Sequence, residues 1–151
     1  MSFSARFGCN IFCIVPGMLA PLGPINEITS RIIAAAIEVH RRLGPGLLES
    51  VYHACLLYEL RLAGLKVTSK MKIPVVYRGV LMDCSYELDL LINDTVIVEI
   101  KCLAIVLPVH EAQLMTQLKL ANKPVGLLLN FNVPIMKEGI TRKLNRQALN
   151  A

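Results

Sequence analysis

Residues 125–131 restrict the possible folds more than any other segment, because this run of strand length contains no charged side chain. Its one polar side chain is Asn130. A strand with one face in water alternates apolar and polar residues, whereas a strand covered on both faces does not need to. We therefore expect this segment to be a strand covered on both faces, in a sheet that carries packed helices.

The patterns around this strand predict one α/β domain. From Asn26 to Leu43, apolar residues recur at three- and four-residue steps, which is typical of an amphipathic helix. Gly44-Pro45-Gly46 then breaks the chain. The further predicted elements are a helix over 47–63, strands over 66–77, 84–92 and 95–102, a helix over 109–121, the strand over 125–131 and a basic helix over 137–147. This order, α-α-β-β-β-α-β-α, predicts a mixed β-sheet flanked by helices.

Residues 1–25 differ in composition from the remainder of the chain. They hold one charged residue, Arg6, and prolines interrupt their apolar run. A membrane-spanning helix is excluded here, because it needs about 20 unbroken apolar residues. We expect a poorly ordered leader over 1–25, for which a native leader, a signal peptide or a wrongly assigned start are the open explanations. A single domain is expected over 26–151.

Composition limits the partners and the compartment. Sixteen basic residues against eleven acidic ones give a net charge of +5, which suits a polyanion such as nucleic acid but does not identify it. Five cysteines without a CxxC pair indicate reduced thiols and a cytoplasmic protein. No glycine-rich phosphate loop follows a predicted strand, so nucleotide-dependent kinases and dehydrogenases find no support.

Carboxylates and a lysine are predicted to meet at one end of the hairpin around the Asn93-Asp94 turn. Strand alternation puts Glu99 and Lys101 on the face opposite to the core residues of the same strand. With a two-residue turn, residues whose numbers sum to about 187 lie opposite each other, which brings Asp89 within one residue of Glu99. Two carboxylates form an oxygen-rich site suited to Mg²⁺ or Mn²⁺. An E-x-K pattern alone, however, is more often an exposed surface pair.

The spacing Asp89-x9-Glu99-Ile100-Lys101 on a strand–turn–strand resembles the D-(x)n-(D/E)-x-K core of the PD-(D/E)XK nuclease superfamily. Residues 46–52 read G-L-L-E-S-V-Y and resemble the G-x-x-E-x-x-Y signature of the GxxExxY family, which is grouped with those nucleases. Similar stretches at 39–45, 108–114 and 126–131 extend the resemblance over roughly residues 26–139. It implies a restriction-endonuclease-like core and a Mg²⁺- or Mn²⁺-dependent nuclease acting on nucleic acid. The choice between DNA and RNA stays open at this point, with DNA favoured.

The resemblance also implies a role for individual residues. The metal-binding acids would be Asp89 and Glu99, with the carbonyl of Ile100 as a further ligand, and the catalytic lysine would be Lys101. Glu49 would match the helical acid that joins the metal site. The alternative for Glu49 is stabilisation of a helix N terminus, where the dipole favours negative charge.

The third helix carries the polar residues that would contact substrate or order the site. Gln113 matches a helix glutamine that superfamily members use to order the site, but Gln117 stands where related nucleases often have tyrosine. His110 shares their helical face. For His40, a phosphate contact competes with a hydrogen-bonded structural histidine. The basic tail would follow a phosphate backbone or form a solvated face, and its residues are Lys137, Arg142, Lys143 and Arg146.

Two alternatives to an enzyme stay open. One is a catalytically inactive module on the same fold that binds nucleic acid or a protein, and the other is a structural subunit whose hairpin acids lie on its surface. The presence of Asp89, Glu99, Lys101 and Glu49 together favours the nuclease, because a decayed site is expected to lose its lysine or an acid first. A shared site also requires that these side chains lie close together.

Overall fold

The computed structural model describes residues 22–150. The expected leader therefore lies outside the described residues, apart from its last four, and the first helix begins three residues before Asn26. Along the chain the elements are α1 (Gly23–Leu43), α2 (Glu49–Leu62), β1 (Val67–Tyr77), β2 (Val80–Ile92), β3 (Val96–Lys101), α3 (Pro108–Leu120), β4 (Val125–Asn130), a 3-10 turn (Met136–Gly139), β5 (Ile140–Leu144) and α4 (Arg146–Leu149). No helix within residues 22–150 combines the length and the apolar character that crossing a membrane requires.

The five strands form one mixed sheet in the order β1-β2-β3-β4-β5. Strands β3 and β4 are parallel, and the other neighbours are antiparallel. Parallel neighbours need a crossover connection, which α3 supplies. All residues of β4 are buried, and they enter the apolar clusters on both faces of the sheet, Leu127 on one face and Leu128 on the other. The prediction of a strand covered on both faces is therefore confirmed. The predicted α/β class, a mixed sheet flanked by helices, is confirmed as well.

The sheet has an apolar cluster on each face. Helices α1 and α2 pack on one face, where Ile32 and Leu56 meet Val98. Helix α3 packs on the other face, where Leu114 meets Ile97. Alternate residues of β3 thus enter different clusters, as the strand period requires. The face that holds Ile97 is also the one that carries Glu99 towards α3.

Tyr52 fixes the loop that leads into α2. Its hydroxyl donates a hydrogen bond to the carbonyl of Gly44 and accepts one of 3.2 Å from the amide of Leu47. Its ring stacks on Phe131 with the centroids 4.5 Å apart. Gly46 in this loop has φ +97°, a backbone conformation that residues other than glycine rarely adopt. Tyr52 is therefore a packing residue that sets where the first turn of α2 begins.

The turn between β2 and β3 contains one residue more than the sequence predicts. Asn93 and Asp94 have positive φ, as a tight hairpin turn requires, but Ile92 pairs with Val96 and leaves Thr95 as a bulge. The pairs continue from Ile92 to Leu90–Val98, so that Leu90, and not Asp89, lies opposite Val98. The longer turn thus shifts the register by one residue from the one that a two-residue turn predicts.

The predicted basic helix over 137–147 is wrong. This segment holds a 3-10 turn, the strand β5 and only the first residues of the short helix α4. Strand β5 pairs antiparallel with β4, whose other neighbour is β3. Without β5 the backbone groups on that edge of the buried strand β4 would lack partners, and this long-range demand outweighs local helix preference.

Candidate active site

A cavity opens where α2 meets the sheet. The residues that line it come from α2, from β1, β2 and β3, and they are Glu49, Ser50, His53, Lys70, Asp89 and Ile100. Three residues that the sequence assigns to the metal site, Glu49, Asp89 and Ile100, therefore share one cavity although they are far apart in the chain. The sequence did not indicate Ser50, His53 or Lys70.

Asp89 is a buried carboxylate with a partner on each oxygen. Oδ2 accepts a 2.9 Å hydrogen bond from the backbone amide of Ile100, which fixes the carboxylate against β3. Oδ1 accepts a 2.8 Å hydrogen bond from the ammonium of Lys70. The carbonyl of the same residue lies 3.2 Å from Nε2 of His53. These contacts hold Asp89 in one orientation, as a buried charge requires.

Glu99 is also buried and has two partners of its own. Oε1 accepts a 2.8 Å hydrogen bond from Lys101, and Oε2 accepts one of 3.0 Å from Nε2 of Gln117 on α3. Burial lowers the pKa of Lys101, but the hydrogen bond and the charge of Glu99 outweigh it, so that the pKa is raised. Lys101 is therefore an ammonium at neutral pH, held by the acid two residues before it.

Glu49 is the first residue of α2 and points its charge towards the same group of side chains. Partial burial raises its pKa, while the positive charge of Lys101 opposes the rise. The negative charges of Asp89 and Glu99 raise it further. Glu49 is therefore near enough to both hairpin acids and to Lys101 for their charges to act on its pKa. The position of Glu49 in the first helical turn, expected from the sequence, is confirmed.

The donors have the chemistry of a magnesium or manganese site. Carboxylates of Asp89, Glu99 and Glu49 and the carbonyl of Ile100 are oxygen donors, which these ions prefer. As the side chains stand, no three His, Cys, Asp or Glu residues within 22–150 converge closely enough to hold an ion. The carboxylates are turned towards lysines and an amide instead. Coordination of one ion by these acids stays a prediction.

Helix α3 brings Gln117 to the site rather than Gln113. Gln117 is 3% exposed and binds Glu99, whereas Gln113 is exposed. The sequence assigned the ordering role to Gln113, and this assignment is corrected. The buried stripe of α3 runs through Leu114, Gln117 and Leu118, so Gln113 falls beside it. His110 accepts a 3.0 Å hydrogen bond at Nδ1 from the amide of Leu107 and so caps α3.

His40 and the basic tail have structural partners away from the cavity. His40 is buried, and its Nε2 lies 2.8 Å from the carbonyl of Val133, so the structure supports the hydrogen-bonded histidine and not the phosphate contact. Arg142 donates a 2.7 Å hydrogen bond to Asn26, and Lys143 forms an ion pair with Glu111. Both fasten β5 to helices. Arg146 lies on α4 and is exposed.

Comparison with known proteins identifies the family of the chain. A family model described as the PD-(D/E)XK nuclease superfamily matches residues 26–143, which is more than three quarters of the chain. The match includes Glu49, Asp89, Glu99 and Lys101. No curated protein and no solved structure matched the chain. The five-stranded mixed sheet is consistent with a restriction-endonuclease-like fold. By the extent of the family match, the chain belongs to the PD-(D/E)XK nuclease superfamily.

Proposed function

We propose that the protein is a Mg²⁺- or Mn²⁺-dependent nuclease that hydrolyses phosphodiester bonds of nucleic acid, DNA rather than RNA, and that it belongs to the GxxExxY group of the superfamily. One observation carries the proposal: Glu49, Asp89 and Ile100 line the same cavity. The ion pair between Lys101 and Glu99 lies on the strand that supplies Ile100, and both charges act on the pKa of Glu49. Three separate elements thus deliver the acids and the lysine that hydrolysis would need.

In this proposal Asp89 and Glu99 hold the divalent ion, assisted by Glu49 and the carbonyl of Ile100. When bound, such an ion polarises the phosphate and lowers the pKa of an attacking water. The bond from the amide of Ile100 to Oδ2 leaves Oδ1 as the oxygen with which Asp89 would face the ion. The bond from Gln117 performs the same fixing role for Glu99.

Lys101 would act through its charge. Its raised pKa keeps it protonated, so that it donates hydrogen bonds and does not accept a proton from water. Beside the ion, its ammonium would turn from Glu99 to a phosphate oxygen and stabilise the negative charge that develops during the reaction. The partly buried position of Lys101 strengthens this interaction, because the surrounding dielectric is lower than that of water.

The second candidate is a catalytically inactive module on the same fold that binds nucleic acid or a protein. A specific observation favours it: both hairpin acids already have a lysine partner, Lys70 on Asp89 and Lys101 on Glu99. Such pairs neutralise buried acids without any ion. Under this alternative the cavity would be a remnant, and the basic excess of the chain would carry the binding.

A cleavage assay distinguishes the two candidates. The purified full chain is incubated with duplex DNA, single-stranded DNA and RNA, each with Mg²⁺, with Mn²⁺ and with EDTA. The nuclease proposal expects metal-dependent cleavage, lost in Asp89→Asn and kept in the control Asp83→Asn, an exposed acid on the same strand. Binding without cleavage under every condition would contradict the nuclease and support the binding module.

The domain and the compartment are proposed on related grounds. All the described strands belong to one sheet, which supports a single nuclease domain over 26–151. Cys55, Cys84 and Cys102 are free thiols, which supports a reducing, cytoplasmic environment.

A further inference from the structure

Lys70 adopts an unusual backbone conformation inside a regular strand. Its φ is +54°, in the left-handed region, although the pairs on either side of it, Ser69–Leu90 and Met71–Leu88, keep the same register. Residues other than glycine are uncommon in this region, and such strained residues persist where the surrounding structure holds them, often at functional sites. Lys70 is therefore held in a strained conformation directly opposite the candidate metal ligand on β2.

The strained residue occupies the free oxygen of that ligand. Because the amide of Ile100 binds Oδ2 of Asp89, the oxygen left for an ion is Oδ1, and there the ammonium of Lys70 sits at 2.8 Å. The lysine side chain is half exposed, whereas the Asp89 side chain is largely buried. A half-exposed cationic group from β1 thus covers the acid at the cavity wall.

We propose that Lys70 is a resident counter-ion of the candidate metal site: its ammonium neutralises Asp89 in the metal-free protein and leaves Oδ1 when a divalent ion binds. The inference rests on the proposed function, because it takes Asp89 as a metal ligand. Lys70 acts through Asp89 and is a positioning residue in this account.

The surroundings give the displaced ammonium somewhere to go. Glu87 lies 3.6 Å from Nζ of Lys70, on the solvent side of the same strand as Asp89. The lysine can therefore move to Glu87, or to a phosphate of a bound nucleic acid, without leaving an unpaired buried charge. The ion must replace a charge-assisted hydrogen bond, so the apparent affinity of the metal-free protein for the ion is reduced. A phosphate that attracts Lys70 would relieve this competition and couple metal binding to nucleic-acid binding.

Calorimetric titration with MnCl2, without nucleic acid, tests the proposal. Lys70→Met should bind Mn²⁺ at least about tenfold more tightly than the parent chain, given the strength of charge-assisted hydrogen bonds. Lys72→Met is the matched control, since it removes one exposed lysine from the same strand, and it should leave the affinity within about twofold. Lys70→Asn should repeat the gain, because asparagine tolerates positive φ and the strand then keeps its conformation.

An unchanged or a weaker affinity in both Lys70 variants would overturn the proposal, because a counter-ion that competes with the metal must raise the affinity when it is removed. Asp89→Asn separates this failure from failure of the proposed metal site. If Asp89→Asn binds Mn²⁺ as tightly as the parent, Asp89 is not a ligand and the metal site itself is wrong. If Asp89→Asn loses binding while the Lys70 variants show no gain, the site stands and only the role of Lys70 is refuted. The double variant Lys70→Met, Asp89→Asn should show no gain.

Discussion

Gln117 donates a 3.0 Å hydrogen bond to Oε2 of Glu99 where α3 packs on β3. Lys101 binds the other oxygen of the same carboxylate, so Glu99 has a neutral partner on one side and a charged one on the other. Within the described residues Gln117 Oε1 has no hydrogen-bond partner. The bond to Glu99 is therefore the side-chain hydrogen bond that the buried amide makes, and it holds the buried carboxylate in one orientation.

Gln117→Leu should lower the free energy of unfolding by about 1.5–3 kcal/mol, because it removes a hydrogen bond to a buried charge and leaves Oε2 of Glu99 without a partner. Gln113→Leu, the matched control on the same helix, should change it by less than about 0.5 kcal/mol, since its side chain is exposed. Urea unfolding of the three proteins measures both differences. Equal effects of the two substitutions would contradict the assignment of Gln117 to the site.

Local sequence periodicity was sufficient to predict part of this site. Alternation along β3 depends only on the strand geometry, so the sequence predicts that Glu99 and Lys101 leave the sheet on one face and Val98 and Ile100 on the other. The structure confirms this division, with Val98 and Ile100 in the cluster under α1 and α2. The acid of α2 was placed correctly as well, because a helix start is marked by a glycine–proline break.

The register of β1 against β2 could not be predicted by counting residues from the turn. Counted from the turn at residues 78–79, Lys70 would face Glu87, but the register shifts at residues 74–76 and Lys70 lies opposite Asp89 instead. A bulge depends on how the strand fits its neighbours and leaves only a weak trace in sequence, here Pro74. The partner of Asp89 could therefore not be found without the folded structure.

The prediction of a basic helix over 137–147 failed for a related reason. Its charged residues suggested a solvated helix, but pairing with the edge of β4 is a contact with a distant part of the sheet that composition does not encode. Arg142 then donates a hydrogen bond to Asn26 on α1, and Lys143 forms an ion pair with Glu111 on α3. Residues 140–144 form a strand because they pair with β4, and a local sequence pattern does not contain this information.

Cys102 should react slowly with iodoacetamide at about pH 9, whereas the exposed Cys84 should react readily. Burial, with the negative charge of Glu49 as a second cause, raises the pKa of Cys102 to about 11. A raised thiol pKa means that the folded protein holds its proton more tightly, so the reactive thiolate forms only as the pH approaches that value. Peptide mapping by mass spectrometry after labelling across a pH series measures each thiol separately.

Glu49→Gln provides the control for this experiment. Loss of the nearby negative charge should shift the labelling of Cys102 to lower pH and leave that of Cys84 unchanged. The shift should be smaller than the effect of burial, which is the larger cause. Labelling of Cys102 at the rate of Cys84 near pH 9 would show that the end of β3 is more open than the structure has it.

Binding of nucleic acid should weaken steeply as salt rises, because each phosphate that a basic residue neutralises releases a counterion. The non-cleaving Asp89→Asn chain permits the measurement by fluorescence anisotropy with labelled duplex DNA. A plot of log affinity against log salt should fall with a slope of about −0.9 per contacted phosphate. Arg146→Gln, which removes an exposed charge of α4, should reduce the slope by about one if that helix contacts the backbone. An affinity that stays flat would argue for a protein partner.

Substitution of a metal-binding acid and substitution of the lysine should have different effects when thermal stability and cleavage are measured on the same variants. If Asp89 and Glu99 share an ion, Mn²⁺ at 100 times its Kd should stabilise the parent chain by about 2.7 kcal/mol, since any ligand of the folded state does so by mass action. Asp89→Asn should abolish both the rise in Tm and the cleavage. Lys101→Met should lose cleavage and keep most of the rise in Tm, because an ammonium contacts Glu99 and phosphate but does not coordinate metal. Lys72→Met should keep both. Full cleavage by Lys101→Met, or a full Tm response by Asp89→Asn, would refute the assigned roles and leave the binding module as the better account.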